Sequence, residues 1–185
     1  MLAMDLPDWP VARISGIAAA ILQASGFMVI ATAVLRGEVL PNRCSWLIWS
    51  LVASLAAAGS WQAGATWPLA GAVMNAVGCI AILVLSWRTG LFVTNRLDLG
   101  CLATACVGIA AWLATSSPVV GLALFLVADA CGAAPAIRGV LRDPGCESVR
   151  GWALLAAAGL AAVLAVEPEQ WAWNATGFGH WGGAV

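Results

Sequence analysis

Two short strings in this sequence carry side chains able to engage a polar molecule: NAVG at 75–78 and NATG at 174–177. Each places an Asn three residues before a Gly inside surroundings that are otherwise nearly all apolar. A carboxamide carries two N–H donors and an acceptor oxygen. Two of them, Asn75 and Asn174, converging on one point can therefore hydrogen-bond a small polar solute from both sides. Left unpaired in an apolar medium, each amide costs several kcal/mol, so it must bond a neighbouring helix, water or a solute. Helix-to-helix bonding is the plainer use, worth about 0.6 kcal/mol on average. Asp129 is the only carboxylate deep in an apolar run. An ionised group there is expensive and a functional candidate by default, which makes Asp129 a candidate for proton coupling; the plainer reading is a protonated acid bonded to nearby backbone. Pro135 removes one helical hydrogen bond and is read as a hinge or as a static kink. His180, the sole histidine, either lines the mouth of a site or caps a helix.

Several chemistries are excluded. There is no Lys in the chain, so no retinal Schiff base can form. The six cysteines show no CxxC spacing, and a metal site would want clustered Cys or His; they read as small packing residues. No HExxH, paired-carboxylate or Ser/His/Asp constellation is present. The expectation is therefore a protein that is not an enzyme, with no cofactor and no metal. A net charge of -1 without a basic stripe argues against nucleic acid as a partner.

The elements that must hold these residues are membrane helices. Hydrophobic residues make up 62% and charged residues 9% of the 185 positions, and the mean hydropathy is +0.93. A bilayer-crossing helix needs about 20 mostly apolar residues. Such runs are predicted at Val11–Leu35, Ser45–Ala63, Thr66–Trp87, Asp98–Ser117, Pro118–Leu141 and Val149–Val166, with a more polar seventh at Glu167–Val185. Seven of the eight arginines flank the connections after helices 1, 3 and 5. Positive charge marks the cytoplasmic side, so the N-terminus is expected outside and the C-terminus inside. Trp46, Trp49, Trp87 and Trp152 are expected at the inner interface, with Arg138, Arg142 and Glu147 as interfacial charges and Glu147 able to pair with Arg150. Asp98 is read as an acid complementing the dipole of the fourth helix. The N-terminal stretch carries Asp5 and Asp8 before any Arg, the wrong sign for a signal peptide. Exclusive use of Arg suggests a GC-rich bacterial gene, and hence a multi-pass protein of the bacterial cytoplasmic (inner) membrane.

A repeat runs through this layout. VLRGEVLPNRCSW (34–46) and VLRDPGCESVRGW (140–152) share V-L-R and a Trp ten residues after the Arg. The offset of 106 also superposes Gly26 on Gly132 and Gln23 on Asp129. The two Asn motifs are 99 apart, so the second copy has lost residues between its later helices. Helices 1–3 (residues 1–90) thus match helices 5–7 (118–185), and helix 4 (91–117) links them. An all-α membrane protein built as a parallel 3+1+3 repeat follows, a plan that needs the extra crossing so both triplets start on one side.

With these motifs the chain resembles the SWEET and PQ-loop superfamily of small-solute transporters. The resemblance rests on Asn75/Gly78 and Asn174/Gly177 in the third helix of each triplet, on Pro135 with Ile137 and Arg138 before a short polar connection, and on the 3+1+3 layout. It implies that both Asn face a central substrate cavity. Ala136 stands where the family has the Gln of its Pro-Gln pair, Val29 stands at the first-half position equivalent to Pro135, and no aromatic precedes either Asn at the spacing of the sugar-transporting relatives. The expected function is movement of a small polar solute by alternating access, with or without proton coupling. The alternative is a non-transporting receptor or accessory membrane protein on the same scaffold. Solute and lipid bilayer are the expected partners, and the oligomeric state is left open.

Overall fold

The computed structural model describes residues 10–62, 67–89, 96–114 and 118–165. Among the described residues the chain is helical, with six α-helices: α1 Pro10–Leu35, α2 Arg43–Gln62, α3 Trp67–Thr89, α4 Arg96–Ala114, α5 Pro118–Arg142 and α6 Val149–Leu164. These lie within a few residues of the first six predicted runs. The seventh run, Glu167–Val185, and with it Asn174, Gly177 and His180, lies outside the described residues.

Local chemistry sets the helix ends. Pro10 and Pro118 open α1 and α5, at a position where the missing N–H is no loss. Asn42 caps α2, its Oδ1 accepting from the N–H of Cys44 at 2.8 Å and of Ser45 at 3.2 Å. Ser148 caps α6, its Oγ accepting from Gly151 N–H at 3.3 Å. α1 ends on Gly37 at φ 71, with Glu38 N–H bonded to Ala33 O at 2.9 Å and Gly37 N–H to Val34 O at 3.0 Å. That is the double bond pattern of a Schellman stop, which glycine alone adopts without strain. The guanidinium of Arg43 donates to Ser86 O at 2.7 Å and Trp87 O at 2.9 Å, satisfying carbonyls at the end of α3.

Among the described residues three stretches, Pro10–Leu35, Arg43–Trp61 and Leu69–Trp87, are long and apolar enough to cross a membrane. The sequence predicts six such runs over the same part of the chain. α6 is apolar but has 16 residues, about 24 Å of helix against a hydrocarbon core of about 30 Å. The outer surface is apolar. Ile21, Met28 and Leu35 on α1, Val77 and Val84 on α3, and Leu160 and Leu164 on α6 are each more than half exposed. An apolar exterior of this kind is compatible with a helical membrane protein.

Packing follows an open ring. α3 packs on both α1 and α2, α6 packs on α1, and α5 packs on α2 and on α4. α1 and α2 make at most marginal contact with each other, and so do α5 and α6. The main core gathers Phe27, Ile30, Val34, Trp46, Cys79 and Ile82 where α1, α2 and α3 meet. A second cluster, Cys44, Ile48, Val52, Ala105 and Ala128, joins α2 to α4 and α5.

Candidate functional site

Asn75 lies on α3, half-buried, and its amide has a specific partner. Gln23 on α1 donates from Nε2 to Asn75 Oδ1 at 2.6 Å, and the thiol of Cys79, one turn along α3, approaches the same oxygen at 3.8 Å. The Gly of the motif explains why these helices come so close. A Cβ at Gly78 would collide with the ring of Phe27. Phe27 is one turn beyond Gln23 on α1, so the glycine that admits its ring also brings Gln23 opposite Asn75. Asn75 Nδ2 has no hydrogen bond among the described residues.

Asp129 on α5 is exposed, and its carboxylate has no hydrogen bond among the described residues. Its backbone carbonyl accepts from Trp49 Nε1 at 3.4 Å. One turn on, a Cβ at Gly132 would sit 2.6 Å from that same indole nitrogen. Pro135 is fully buried inside an α5 that runs unbroken from Pro118 to Arg142. Gln23, Asn75 and Cys79 thus form a polar group on two helices, α1 and α3. It offers amide donors and an acceptor to a small polar molecule, while Asp129 stands on α5, a helix that packs on α2 and α4.

A second concentration of polar groups lies at the end of the bundle that carries the α1–α2 and α5–α6 connections. The latter contains a single 3-10 turn, Pro144–Cys146, capped by Asp143 Oδ1, which accepts from Gly145 N–H at 3.1 Å. Leu40 N–H donates to Cys146 O at 3.1 Å, stitching the two connections together. Beside them lies a cavity of about 150 Å³ lined by Asn42, Asp98, Arg138, Arg142, Asp143 and Glu147, with Pro135 at its wall. Asp98 is in the first turn of α4, as expected, and is buried.

Two expectations are corrected here. Glu147 is not an interfacial charge paired with Arg150. It is 9% exposed, forms no ion pair with Arg150, and accepts at Oε2 from Trp152 Nε1 at 3.1 Å. Burial pushes its carboxyl above the usual glutamate range, opposed by a smaller lowering from the Trp152 bond. Nor are Trp46, Trp49 and Trp152 separate anchors in a belt. Trp46 is 1% exposed, and the three indoles cluster with centroids 5.3 to 5.9 Å apart, Trp49 edge-on to the other two. α6 packs on α1 and α2 packs on α3, and that arrangement brings the Trp152 ring onto those of Trp46 and Trp49, which hydropathy and end position do not register. Gln23 was noted in the sequence only as the counterpart of Asp129; a polar residue facing Asn75 from another apolar helix was the available signal. Comparison with protein families, with characterised proteins and with solved structures finds no match for this chain.

Proposed function

We propose that the chain is a SWEET/PQ-loop-like transporter, moving a small polar solute by alternating access through two three-helix bundles joined by α4. The observation that carries this reading is contact between counterparts in the 106-residue repeat. Trp46 and Trp152 are counterparts, and their rings lie 5.9 Å apart. Leu40 and Cys146 are counterparts, and they share a backbone hydrogen bond of 3.1 Å. Gly26 on α1 packs against Leu155 on α6, while its counterpart Gly132 on α5 packs against Trp49 on α2, the counterpart of Leu155. Residues that meet their own counterparts lie on a two-fold axis. Pairs that exchange partners, as the last four do, flank it. Asn42 and Ser148, the caps of α2 and α6, are counterparts as well.

The reading extends to a seventh helix. α3 separates α1 from α2, and the space between α5 and α6 is the equivalent slot. The residues after α6, Glu167–Val185, are the right length to return through it as a helix of about 28 Å. Asn174 would then face the Gln23–Asn75 pair across the axis, with Asp129 as the proton-coupling group and Pro135 as the hinge. The arginine distribution orients the N-terminus outside, in a bacterial cytoplasmic membrane. A second reading, an accessory or receptor protein on the same scaffold, draws on the Gln23–Asn75 bond, since an amide so engaged also serves simply to hold α1 to α3.

A thermal-stability screen of the purified full-length protein against sugars, polyols and amino acids tests the site. A solute binding only the folded state at 100 times its Kd adds about 2.7 kcal/mol. One chemical class should stabilise the wild type and fail to stabilise Asn75→Ala and Asn174→Ala. No response to any solute would favour the accessory role.

A further inference from the structure

Glu147 occupies an unusual position for a carboxylate. It forms the wall between the polar cavity beside Asp98 and an apolar cavity of about 290 Å³ lined by Trp49, Ile137, Leu141 and Trp152. Only 9% of the residue is exposed. Oε2 has a single neutral donor, the indole of Trp152, and Oε1 has no hydrogen bond among the described residues. Among the described residues no cation forms an ion pair with it. The charged groups that share its polar cavity are Asp98 from α4, Arg138 and Arg142 from α5, and Asp143 from the connection, and none of the arginines forms an ion pair with Glu147. Arg150 on α6 is exposed. Arg36 and Glu38, in the α1–α2 connection, pair with each other at 3.8 Å, and Arg43 is turned to the end of α3.

A carboxylate this buried, with one neutral donor and no ion pair among the described residues, is held more cheaply as the acid than as the anion. The polar cavity gives a proton a way in, since about 30 Å³ per water leaves room there for several waters. The indole on the other side gives the proton something to act on. A hydrogen bond to an ionised acceptor is roughly twice as strong as one between neutral groups, so protonation weakens the hold on Trp152. Trp152 lies in the first turn of α6, and its ring rests against those of Trp46 and Trp49 on α2.

We propose that Glu147 is a proton-binding site of this protein, loaded from the polar cavity and read out by the Trp152 indole at the α2–α6 junction. What the proton does there, setting the freedom of that junction during the cycle, rests on the transport reading; the binding itself does not.

The test is a pH titration of intrinsic tryptophan emission on the purified full-length protein. The wild type should show a shift in emission maximum with an inflection above the ordinary glutamate range. Glu147→Gln, which keeps an acceptor for Trp152, should lose that inflection while retaining its helical circular dichroism. Trp152→Phe should lose the emission change with the carboxylate intact, and Asp143→Asn, an exposed neighbour in the same cavity, should leave it in place. A flat wild-type curve, or an inflection that survives Glu147→Gln, overturns the proposal. An inflection with the expected variant pattern in a protein that moves no solute sinks the transport reading and leaves the proton site standing.

Discussion

The rings of Trp46 and Trp152 lie 5.9 Å apart at an interplanar angle of 30°, the one on α2 and the other on α6, 106 positions later in the chain. Trp49 closes the cluster edge-on, at 5.3 Å from each. Aromatic pairs at such separations contribute about 0.5–1.5 kcal/mol beyond the area they bury. The contact therefore holds the α1–α2–α3 group to α6 at the end of the bundle where the connections also meet.

The α1–α6 crossing rests on reciprocal glycines. A Cβ at Gly26 would stand 3.2 Å from Gly151 O, and one at Gly151 would stand 3.3 Å from Gly26 O while colliding with Ile30. Gly151→Ala should destabilise the fold by about 1–3 kcal/mol through overpacking, read as a lower unfolding midpoint. Ile30→Ala in the same background should recover part of that loss relative to its cost alone.

Gly78→Ala should act the same way at the α1–α3 contact, where Phe27 fills the space. We expect a loss of about 1–3 kcal/mol. Because the same approach presents Gln23 to Asn75, the variant should also weaken any solute response in the stability screen. A variant that loses stability but keeps full solute response would separate the packing role from the site.

The bond from Gln23 to Asn75 at 2.6 Å is measurable by a double-mutant cycle. Gln23→Leu and Asn75→Leu, alone and together, should give a coupling energy of about 0.6 kcal/mol and no more than about 1.7 kcal/mol. Zero coupling in unfolding experiments would show that the pair adds nothing to stability.

How much of this was legible beforehand differs residue by residue. Asn75 announces itself as an amide in an apolar helix, because the need for a partner is a property of the residue and its surroundings. Which partner it takes is not, since that depends on the faces α1 and α3 turn to each other, and the Phe27–Gly78 fit decides that. The six helices are legible because hydropathy is additive along the chain. Glu147 was misread because charges near a helix end usually reach water. Here the Leu40–Cys146 bond, between residues 106 apart in the chain, and the Trp152 indole five residues on close it in.

Stability should depend on pH through Glu147. Its folded carboxyl titrates above its unfolded value, so the acid form favours the fold. The associated stability is fully present below the unfolded pKa and is lost as pH rises through the folded one. Denaturation curves over that window should show wild type weakening with rising pH, and Glu147→Gln should flatten this component.

Arg43→Ala should remove two charge-assisted bonds to the last carbonyls of α3. One of these is exposed to water, so the expected loss is about 1–2 kcal/mol rather than the full value for both. Arg43→Lys should recover little, because a single ammonium does not reproduce the forked geometry. Unfolding midpoints of the two variants check this.

The central claim is that two triplets carry a solute across the membrane at a site between them. Its most direct measurement is flux: osmotic swelling of liposomes containing the full-length protein, challenged with the same sugars, polyols and amino acids used in the stability screen. The account predicts saturable entry of the stabilising class above that of protein-free liposomes, abolished by Asn75→Ala and by Asn174→Ala. Binding of that class with no flux above protein-free liposomes would contradict it and assign the scaffold to recognition.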